Sequence, residues 1–218
     1  LKPATVATMR ESSLAIRALW NGESATFQGK RLQKLHHISE PRPTLYINAS
    51  SPRTLECAGE AADGVYAMVG IRPEVIERTR EHLATGTQRA GRSIDDVPIA
   101  LGVPIYMGDN REEALEGMRP YASNNFKSST KVFANVMREI HPDLPAVTDP
   151  TDLSPDTLST VADALGIVGT PSECGAQLSR FISEAQPDHI ICRIFYAGAD
   201  PMRALTALVD TVLPAACD

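Results

Sequence analysis

The sequence predicts an α/β protein with a parallel sheet and helices on its outside, and three observations support this. Short apolar runs alternate with longer amphipathic segments along the 218 residues. Several of the amphipathic segments start with a proline directly after a strand-like run, where proline suits the first helical position. The apolar runs are also nearly continuous, which is typical of strands buried on both faces.

The first strand–helix unit carries the clearest local signals. A strand is predicted over residues 45–48, and Ala49 and Ser50 after it are small enough for a ligand to approach the backbone. Ser51 followed by Pro52 predicts a helix start, because a serine oxygen can accept from a free N–H there. A strand that ends in small residues above a helix N-terminus is a natural anion site, and ligands of parallel α/β folds bind at that end.

The remaining elements follow the same order. Strands are predicted over residues 45–48, 65–69, 99–106, 167–168 and 189–195. Helices are predicted over residues 6–20, 52–62, 73–90, 111–121, 171–185 and 201–213. The capping-box spacing at Thr170-Pro-Ser-Glu173 marks one of these starts independently of its proline.

Residues 122–165 interrupt the alternation. The segment is polar and rich in proline, and it predicts two helices, over residues 129–139 and 155–165. We interpret it as an insertion after the strand of residues 99–106. Long insertions in compact domains are often functional lids, but a surface excursion without a ligand role fits the same composition.

Composition and charge narrow the function classes. The net charge of −6 offers no basic surface for nucleic acid, and no apolar run reaches the roughly 18 residues that span a membrane. Four cysteines without metal or CxxC spacing are typical of free thiols in a cytoplasmic protein. His36-His37 lacks further ligands at suitable spacing, so we expect no metal site.

Two loops and one strand residue are candidates for ligand contact. Gly70 and Arg72 precede a proline-started helix, which combines a flexible backbone, a guanidinium and a helix N-terminus in a possible phosphate site. The small-residue loop of residues 196–200 follows the last strand. Arg193 is unusual inside an apolar strand, and it either forms an ion pair in the interior or faces a ligand.

Several motifs together resemble a known family. The runs MRESSLAIRALWNGESATFQGK, RPTLYINASSPRTLECAGEAADGVY, RAGRSIDDV and VGTPSECGAQLSRFI occur in the order found in luciferase-like flavin- and deazaflavin-dependent oxidoreductases. The similarity is greatest to the branch of methylenetetrahydromethanopterin reductase. The resemblance implies a TIM (β/α)8 barrel of which this chain carries the C-terminal half, strands five to eight, as a single domain over residues 1–218 with the insertion at 122–165.

The resemblance also implies a cofactor, either the deazaflavin coenzyme F-420 or FMN, with the deazaflavin slightly favoured. The turn after strand six usually has a Thr or Ser, but Met68 and Val69 stand there, which weakens the expected hold on phosphate. Catalytic residues belong to the first half of the family's barrel and cannot be placed on this chain. The cofactor-binding residues implied by the resemblance are Asn48, Ala49, Ser50, Ser51, Gly70, Arg72 and Arg203.

Three functions remain open from the sequence. The chain is an oxidoreductase or monooxygenase acting on a small organic substrate, a catalytically inactive scaffold, or a barrel enzyme acting on a phosphorylated metabolite. We further expect Ser50, Ser51, Gly70 and Arg72 to converge on one phosphate. Because half a barrel leaves open edges, we expect the chain to need a missing N-terminal half or to form a homo-oligomer.

Overall fold

The computed structural model describes residues 4–128, 131–145, 149, 152–198 and 201–217. The chain forms two compact units. The first contains Leu1–Ala67 and Thr79–Ala100, and the second contains Met68–Arg78 and Leu101–Asp218. One helix and one strand pass from one unit into the other along the chain.

The described elements follow the predicted alternation. The strands are β1 (Ala25–Phe27), β2 (Lys30–Leu32), β3 (Tyr46–Ala49), β4 (Gly64–Ala67), β5 (Ile99–Met107), β6 (Ile167–Gly169) and β7 (His189–Tyr196). The helices are α1 (Val6–Trp20), α2 (Pro52–Ala61), α3 (Pro73–Arg89), α4 (Arg111–Phe126), α5 (Val132–Ile140), α6 (Pro155–Leu165), α7 (Pro171–Ala185), α8 (Pro201–Ala207) and α9 (Leu213–Cys217). A 3-10 turn (Ile94–Asp96) precedes β5, and a π-helical turn (Leu208–Val212) joins α8 to α9.

The first unit is built on the parallel pair β3 and β4, in which Tyr46 lies opposite Gly64. Helix α2 buries its apolar face completely, including Leu55 and Ala58. Gly59 of the same helix lies so close to α3 that an added Cβ would come within 2.3 Å of the Leu83 carbonyl oxygen. Only glycine leaves room for this contact, so α2 and α3 pack closely at this point.

A short hairpin, β1 and β2, was not predicted. The antiparallel strands are joined by Gln28 and Gly29, whose φ angles are 49° and 73°. Two consecutive left-handed residues form the tight turn that suits the twist of a hairpin. Glutamine is a poor indicator of such a turn, which explains why the sequence pattern gave no strand here.

Asp63 fixes the entry to β3 and the exit from α2 in the first unit. Its carboxylate accepts hydrogen bonds from both terminal nitrogens of Arg42, at 3.0 and 3.1 Å, and from the backbone N–H of Leu45, at 2.9 Å. Although burial alone would raise its pKa, the hydrogen bonds from Arg42 and Leu45 and the charge of Arg17 lower the pKa of Asp63 below its usual value. The carboxylate thus stays ionised and holds the two segments together at neutral pH.

The second unit is built on β5, which is buried along nearly its whole length. Strand β6 pairs with it in parallel, with Ile105 opposite Ile167, and β7 also pairs with it. The N–H of Gly108 donates to the Gly169 carbonyl at 3.1 Å, and the N–H of Ala197 donates to the Met107 carbonyl at 2.8 Å. The chain segments that follow β5, β6 and β7 are therefore adjacent. The α/β prediction with parallel strands is confirmed, whereas closure into a barrel stays a prediction.

Within residues 122–165, burial of the described helices argues against the surface excursion, one of the two alternatives that the sequence left open. Helix α4 continues to Phe126 rather than ending at residue 121, because the buried Asn125 pairs with the Tyr121 carbonyl and with Lys131. Helices α5 and α6 bury most of their apolar residues, including Phe133. The helix predicted over residues 129–139 is observed as α5, and Ser129 and Thr130 lie outside the described residues. The described helices of the segment are therefore part of the core of the second unit.

Other boundaries shift by a few residues. The second predicted strand, β4, ends at Ala67 instead of residue 69, and the first strand, β3, lies one residue later than predicted. The last helix is interrupted by the π-helical turn and resumes as far as Cys217. Within the described part of the chain, the helices are too short or too polar to cross a lipid bilayer.

Candidate functional site

The last two residues of β3 and the two residues after it are the first four predicted cofactor-binding residues. Asn48 is exposed, Ala49 is buried, and Ser50 and Ser51 are half-buried. The N–H of Ser51 donates to Oγ1 of Thr54 at 3.1 Å, and the Ser51 hydroxyl lies 2.9 Å from the same oxygen. The N-terminus of α2 thus satisfies one donor with its own side chain, and an anion bound here would compete with Thr54 for it.

Gly70, in the second unit, adopts a backbone conformation that excludes other residues. Its φ angle is 94°, and an added Cβ would lie 2.6 Å from the Ala164 carbonyl oxygen and 3.0 Å from the ring of Phe133. The N–H of the next residue, Ile71, donates to the same Ala164 carbonyl at 2.9 Å. The glycine is therefore required by packing against α5 and α6, whatever its role toward a ligand.

Arg72 lines a cavity of the second unit with a volume of ≈ 540 Å³. Its Nε and Nη2 donate to the carboxylate of Glu74 at 3.2 and 2.9 Å, and this interaction lowers the pKa of Glu74 and raises that of Arg72. The other guanidinium N–H groups of Arg72 have no acceptor among the described residues and can donate to a ligand oxygen. The cavity is lined by Ile71, Arg72, Pro73, Arg111, Asp163, Gln177, Arg180, Phe181 and Glu184.

Arg111 is held rigidly at the wall of this cavity. Its Nη1 donates to the Val168 carbonyl at 2.8 Å, and its Nη2 lies 2.6 and 2.8 Å from the two carboxylate oxygens of Asp163. Gln177 donates to the same Val168 carbonyl at 2.9 Å. These contacts tie the start of α4 to the end of α6 and to β6, so Arg111 serves the scaffold and is already neutralised.

Arg203, in the first turn of α8, lies in a different cluster. It donates to Oδ1 of Asp109 and to the hydroxyl of Tyr196, the latter at 3.0 Å, and its guanidinium lies 4.0 Å from the centre of the Tyr196 ring. The Tyr196 hydroxyl donates to the same Asp109 oxygen at 2.7 Å. The hydrogen bond from Tyr196 and the charge of Arg203 lower the pKa of Asp109. The cluster joins the segment after β5 to the end of β7.

A third cluster lies beside the ends of β5 and β7 and is formed by aromatic rings around Arg193. The rings of Tyr106 and Phe195 stack, with centroids 4.4 Å apart and planes inclined by 15°. The Arg193 guanidinium lies 5.7 Å from the centre of the Tyr121 ring and 5.8 Å from that of Phe195. Burial raises the pKa of Tyr106, and the positive charge of Arg193 partly offsets that rise.

The structure thus divides the predicted residues among separate surroundings. The turn of residues 48–51 belongs to the first unit, whereas Gly70, Arg72 and Arg203 belong to the second. The convergence of Ser50, Ser51, Gly70 and Arg72 on one phosphate stays a prediction. Asp109 and the stack of Tyr106 on Phe195 were missed as site residues. Their only sequence signal is that each lies within a few residues of a strand end.

Comparison with known proteins identifies the family. The sequence model of the family described as luciferase-like monooxygenase matches residues 2–189, and the chain belongs to this family. The resemblance inferred from the motifs is therefore confirmed.

Relatives and solved structures agree with this assignment. The chain is 27% identical over 226 residues to an F420-dependent glucose-6-phosphate dehydrogenase of Nakamurella multipartita, and 25% identical over 217 residues to one of Amycolatopsis mediterranei. Both matches cover 95% of this chain but only 59% and 60% of the relatives, so the chain spans about three fifths of their length. In fold it is similar to the coenzyme F420-dependent tetrahydromethanopterin reductase of Methanopyrus kandleri, with a TM-score of 0.67, 18% identity and coverage of 98% of this chain and 64% of the other. It is also similar to an F420-dependent secondary alcohol dehydrogenase, with a TM-score of 0.69, 17% identity and coverage of 100% and 64%.

Proposed function

We propose that this chain is the cofactor-binding part of an oxidoreductase that uses the deazaflavin coenzyme or FMN. The observation that carries the proposal is the match of the luciferase-like family over residues 2–189, together with relatives that are named F420-dependent dehydrogenases. The names of these relatives favour the deazaflavin over FMN. They also favour a phosphorylated sugar among small organic substrates.

The residues present fit a phosphorylated cofactor in part. In the second unit, Arg72 lies beside a cavity and has N–H groups without an acceptor in the described part of the chain, and Arg203 lies next to the strand ends where ligands of such folds bind. In the first unit, Asn48 and Ala49 end a strand directly before a helix N-terminus. We propose that these positions, with Ser50, Ser51 and Gly70, contact the cofactor.

The bound cofactor would supply the hydride chemistry, and the chain would orient it and exclude water. Arg72 would bind a phosphate oxygen through the N–H groups that Glu74 does not use. Arg203 would donate hydrogen bonds to the cofactor near the end of β7, where Asp109 and Tyr196 hold its guanidinium in place. None of these side chains needs to gain or lose a proton for these roles.

Titration of the purified chain with each cofactor tests the proposal. We expect quenching of deazaflavin fluorescence on binding, with a lower dissociation constant for the deazaflavin than for FMN. Tighter binding of FMN would reverse the order of the two cofactors. If neither cofactor binds, the proposed function is wrong and the hypothesis of a catalytically inactive scaffold is favoured.

A second assay tests the substrate class. With the deazaflavin bound, glucose-6-phosphate should bind to the chain with a lower dissociation constant than glucose, as measured by isothermal titration calorimetry. Equal affinities for the two sugars would show that the phosphate group plays no part in recognition. If the cofactor binds but neither sugar does, this substrate class is excluded and the family assignment is left intact.

A further inference from the structure

Arg193 lies half-buried in the second unit without an oxygen acceptor among the described residues. Its Nη1 lies 3.6 Å from the sulfur of Met68, and its guanidinium otherwise faces the rings of Tyr121 and Phe195. A thioether sulfur is a weak acceptor, and aromatic faces do not take the place of oxygen for a group with five N–H donors. The open question from the sequence is therefore decided against an interior ion pair within the described part of the chain.

Other arginines of the same unit are placed differently. Arg138 also lies over an aromatic ring, 5.1 Å from the centre of Phe126, but its donors reach the carbonyls of Phe126 and Ala134 at 2.7 and 3.3 Å. Arg111 and Arg119 likewise donate to carbonyl and carboxylate oxygens.

Arg180 has no such oxygen partner among the described residues, but its side chain is exposed, so water can accept its hydrogen bonds. Arg193 differs because it is partly buried and has N–H donors without an oxygen acceptor among the described residues. Such donors raise the free energy of the folded state unless an anion or water accepts their hydrogen bonds.

The position of Arg193 is that of a ligand-contacting residue. It lies three residues before the end of β7, and Tyr106, which stacks on Phe195, is the penultimate residue of β5. Ile191 and Phe195 lie two residues before and after Arg193, on the same face of β7, and their side chains are 44% and 36% exposed. This face is thus accessible, and it presents a cation beside a flat apolar wall near the carboxyl ends of the strands.

We propose that Arg193 binds the phosphate group of the substrate, while the stacked rings of Tyr106 and Phe195 contact the adjoining carbon skeleton. That the bound ligand is a substrate rests on the proposed function. The binding of a phosphate at Arg193 is tested without any cofactor. A planar guanidinium can donate two parallel hydrogen bonds to phosphate oxygens, and a dianion supplies the acceptors that Arg193 lacks. The site is separate from Arg72, for which the cofactor contact is proposed.

Phenyl phosphate is a suitable probe because it joins a phosphate to a flat ring. Its binding to the full 218-residue chain is measured by isothermal titration calorimetry, with phenol as the probe that lacks the phosphate. We expect the variant Arg193→Gln to bind phenyl phosphate at least about tenfold more weakly than the wild type, the scale of a lost charge-assisted hydrogen bond. Arg193→Lys keeps the charge but not the planar fork, so it should lose less. Arg78→Gln, which removes an exposed arginine paired with Glu139, is the control and should bind as the wild type does.

Each outcome decides the inference. Unchanged binding in Arg193→Gln, or a loss in Arg78→Gln alone, places the phosphate elsewhere and overturns the inference, as does a wild type that binds no phenyl phosphate. Melting curves show whether the Arg193→Gln variant is folded. If it is not, equal binding of phenyl phosphate by Arg193→Lys and by the wild type overturns the proposal.

A second measurement separates substrate from cofactor: the affinity for FMN should be unchanged in Arg193→Gln. If it falls as much as that of phenyl phosphate, the residue serves the cofactor and the assignment to substrate is wrong. If wild type binds no cofactor, the proposed function fails while the phenyl phosphate result still stands.

Discussion

Tyr196 and Asp109 are joined by a hydrogen bond of 2.7 Å between the tyrosine hydroxyl and a carboxylate oxygen, although they are 87 residues apart in sequence. Arg203 donates to both side chains, so one carboxylate organises a tyrosine and an arginine at the ends of two paired strands. This cluster gives the predicted cofactor residue Arg203 a fixed position. Its behaviour with pH is accessible to experiment.

We expect Tyr196→Phe to raise the pKa of Asp109 toward that of a free aspartate. The hydrogen bond from Tyr196 is the largest cause of the lowered pKa, followed by the charge and hydrogen bond of Arg203. Because the folded pKa is depressed, the contribution of this carboxylate to stability is present above the unfolded pKa and is lost as pH falls through the folded pKa. NMR titration of the aspartate side-chain carbons in both proteins checks this, and identical titration curves for Asp109 would contradict it.

Arg72→Ala should weaken FMN or the deazaflavin coenzyme by about 1.5–3 kcal/mol, the scale of a charge-assisted hydrogen bond. Riboflavin lacks the phosphate, so its affinity should not change in the same variant. Arg78→Ala, which removes an exposed arginine paired with Glu139, is the control. Fluorescence titration measures all three. An unchanged affinity for FMN in Arg72→Ala would show that Arg72 does not contact the cofactor.

Gly70→Ala should destabilise the protein by about 3 kcal/mol or more, because it combines left-handed backbone strain with steric overlap. The added Cβ would lie 2.6 Å from a backbone oxygen that cannot easily move. Gly91→Ala is the matched control, since Gly91 also has a positive φ of 65° but has open space around the new Cβ. Gly91→Ala should lower the free energy of unfolding only by the backbone strain, about 1–2 kcal/mol. Urea unfolding compares the two, and equal costs would contradict the packing argument.

Phe133→Ala should cost about 3–5 kcal/mol of unfolding free energy, as expected when a large buried side chain leaves a cavity. Phe133 is 1% exposed and lies on α5, within the segment for which the sequence left a surface excursion open. Glu139→Ala on the exposed side of the same helix should change stability by no more than about 0.5 kcal/mol. A small effect of Phe133→Ala in chemical denaturation would favour the surface excursion instead.

We expect the 218-residue chain alone to self-associate or to lack turnover. Apolar strand residues remain open to solvent within each unit, with Tyr46 39% exposed in the first and Ile191 44% exposed in the second. Exposed strand faces and edges favour association with another chain. Light scattering together with an assay of turnover checks this. A monomer with full activity would show that these faces need no cover.

The sequence by itself determined the order of the elements and most of their boundaries. Proline starts, capping residues and apolar runs act over a few neighbouring residues, so α1, α6 and α7 have the predicted bounds. It also placed Gly70 in a turn after a strand, because a positive φ angle favours glycine locally, whereas Ala49 is the last residue of β3.

Only the tertiary structure decided which partners the arginines find. Arg193 meets the sulfur of Met68 across 125 residues, and Arg203 meets Asp109 across 94. The polar composition of residues 122–165 likewise concealed a core segment, since Asn125 is buried only because the Tyr121 carbonyl and Lys131 satisfy its amide. Such pairings depend on distances between strands and helices far apart in the chain, and no local pattern of residue types encodes those distances.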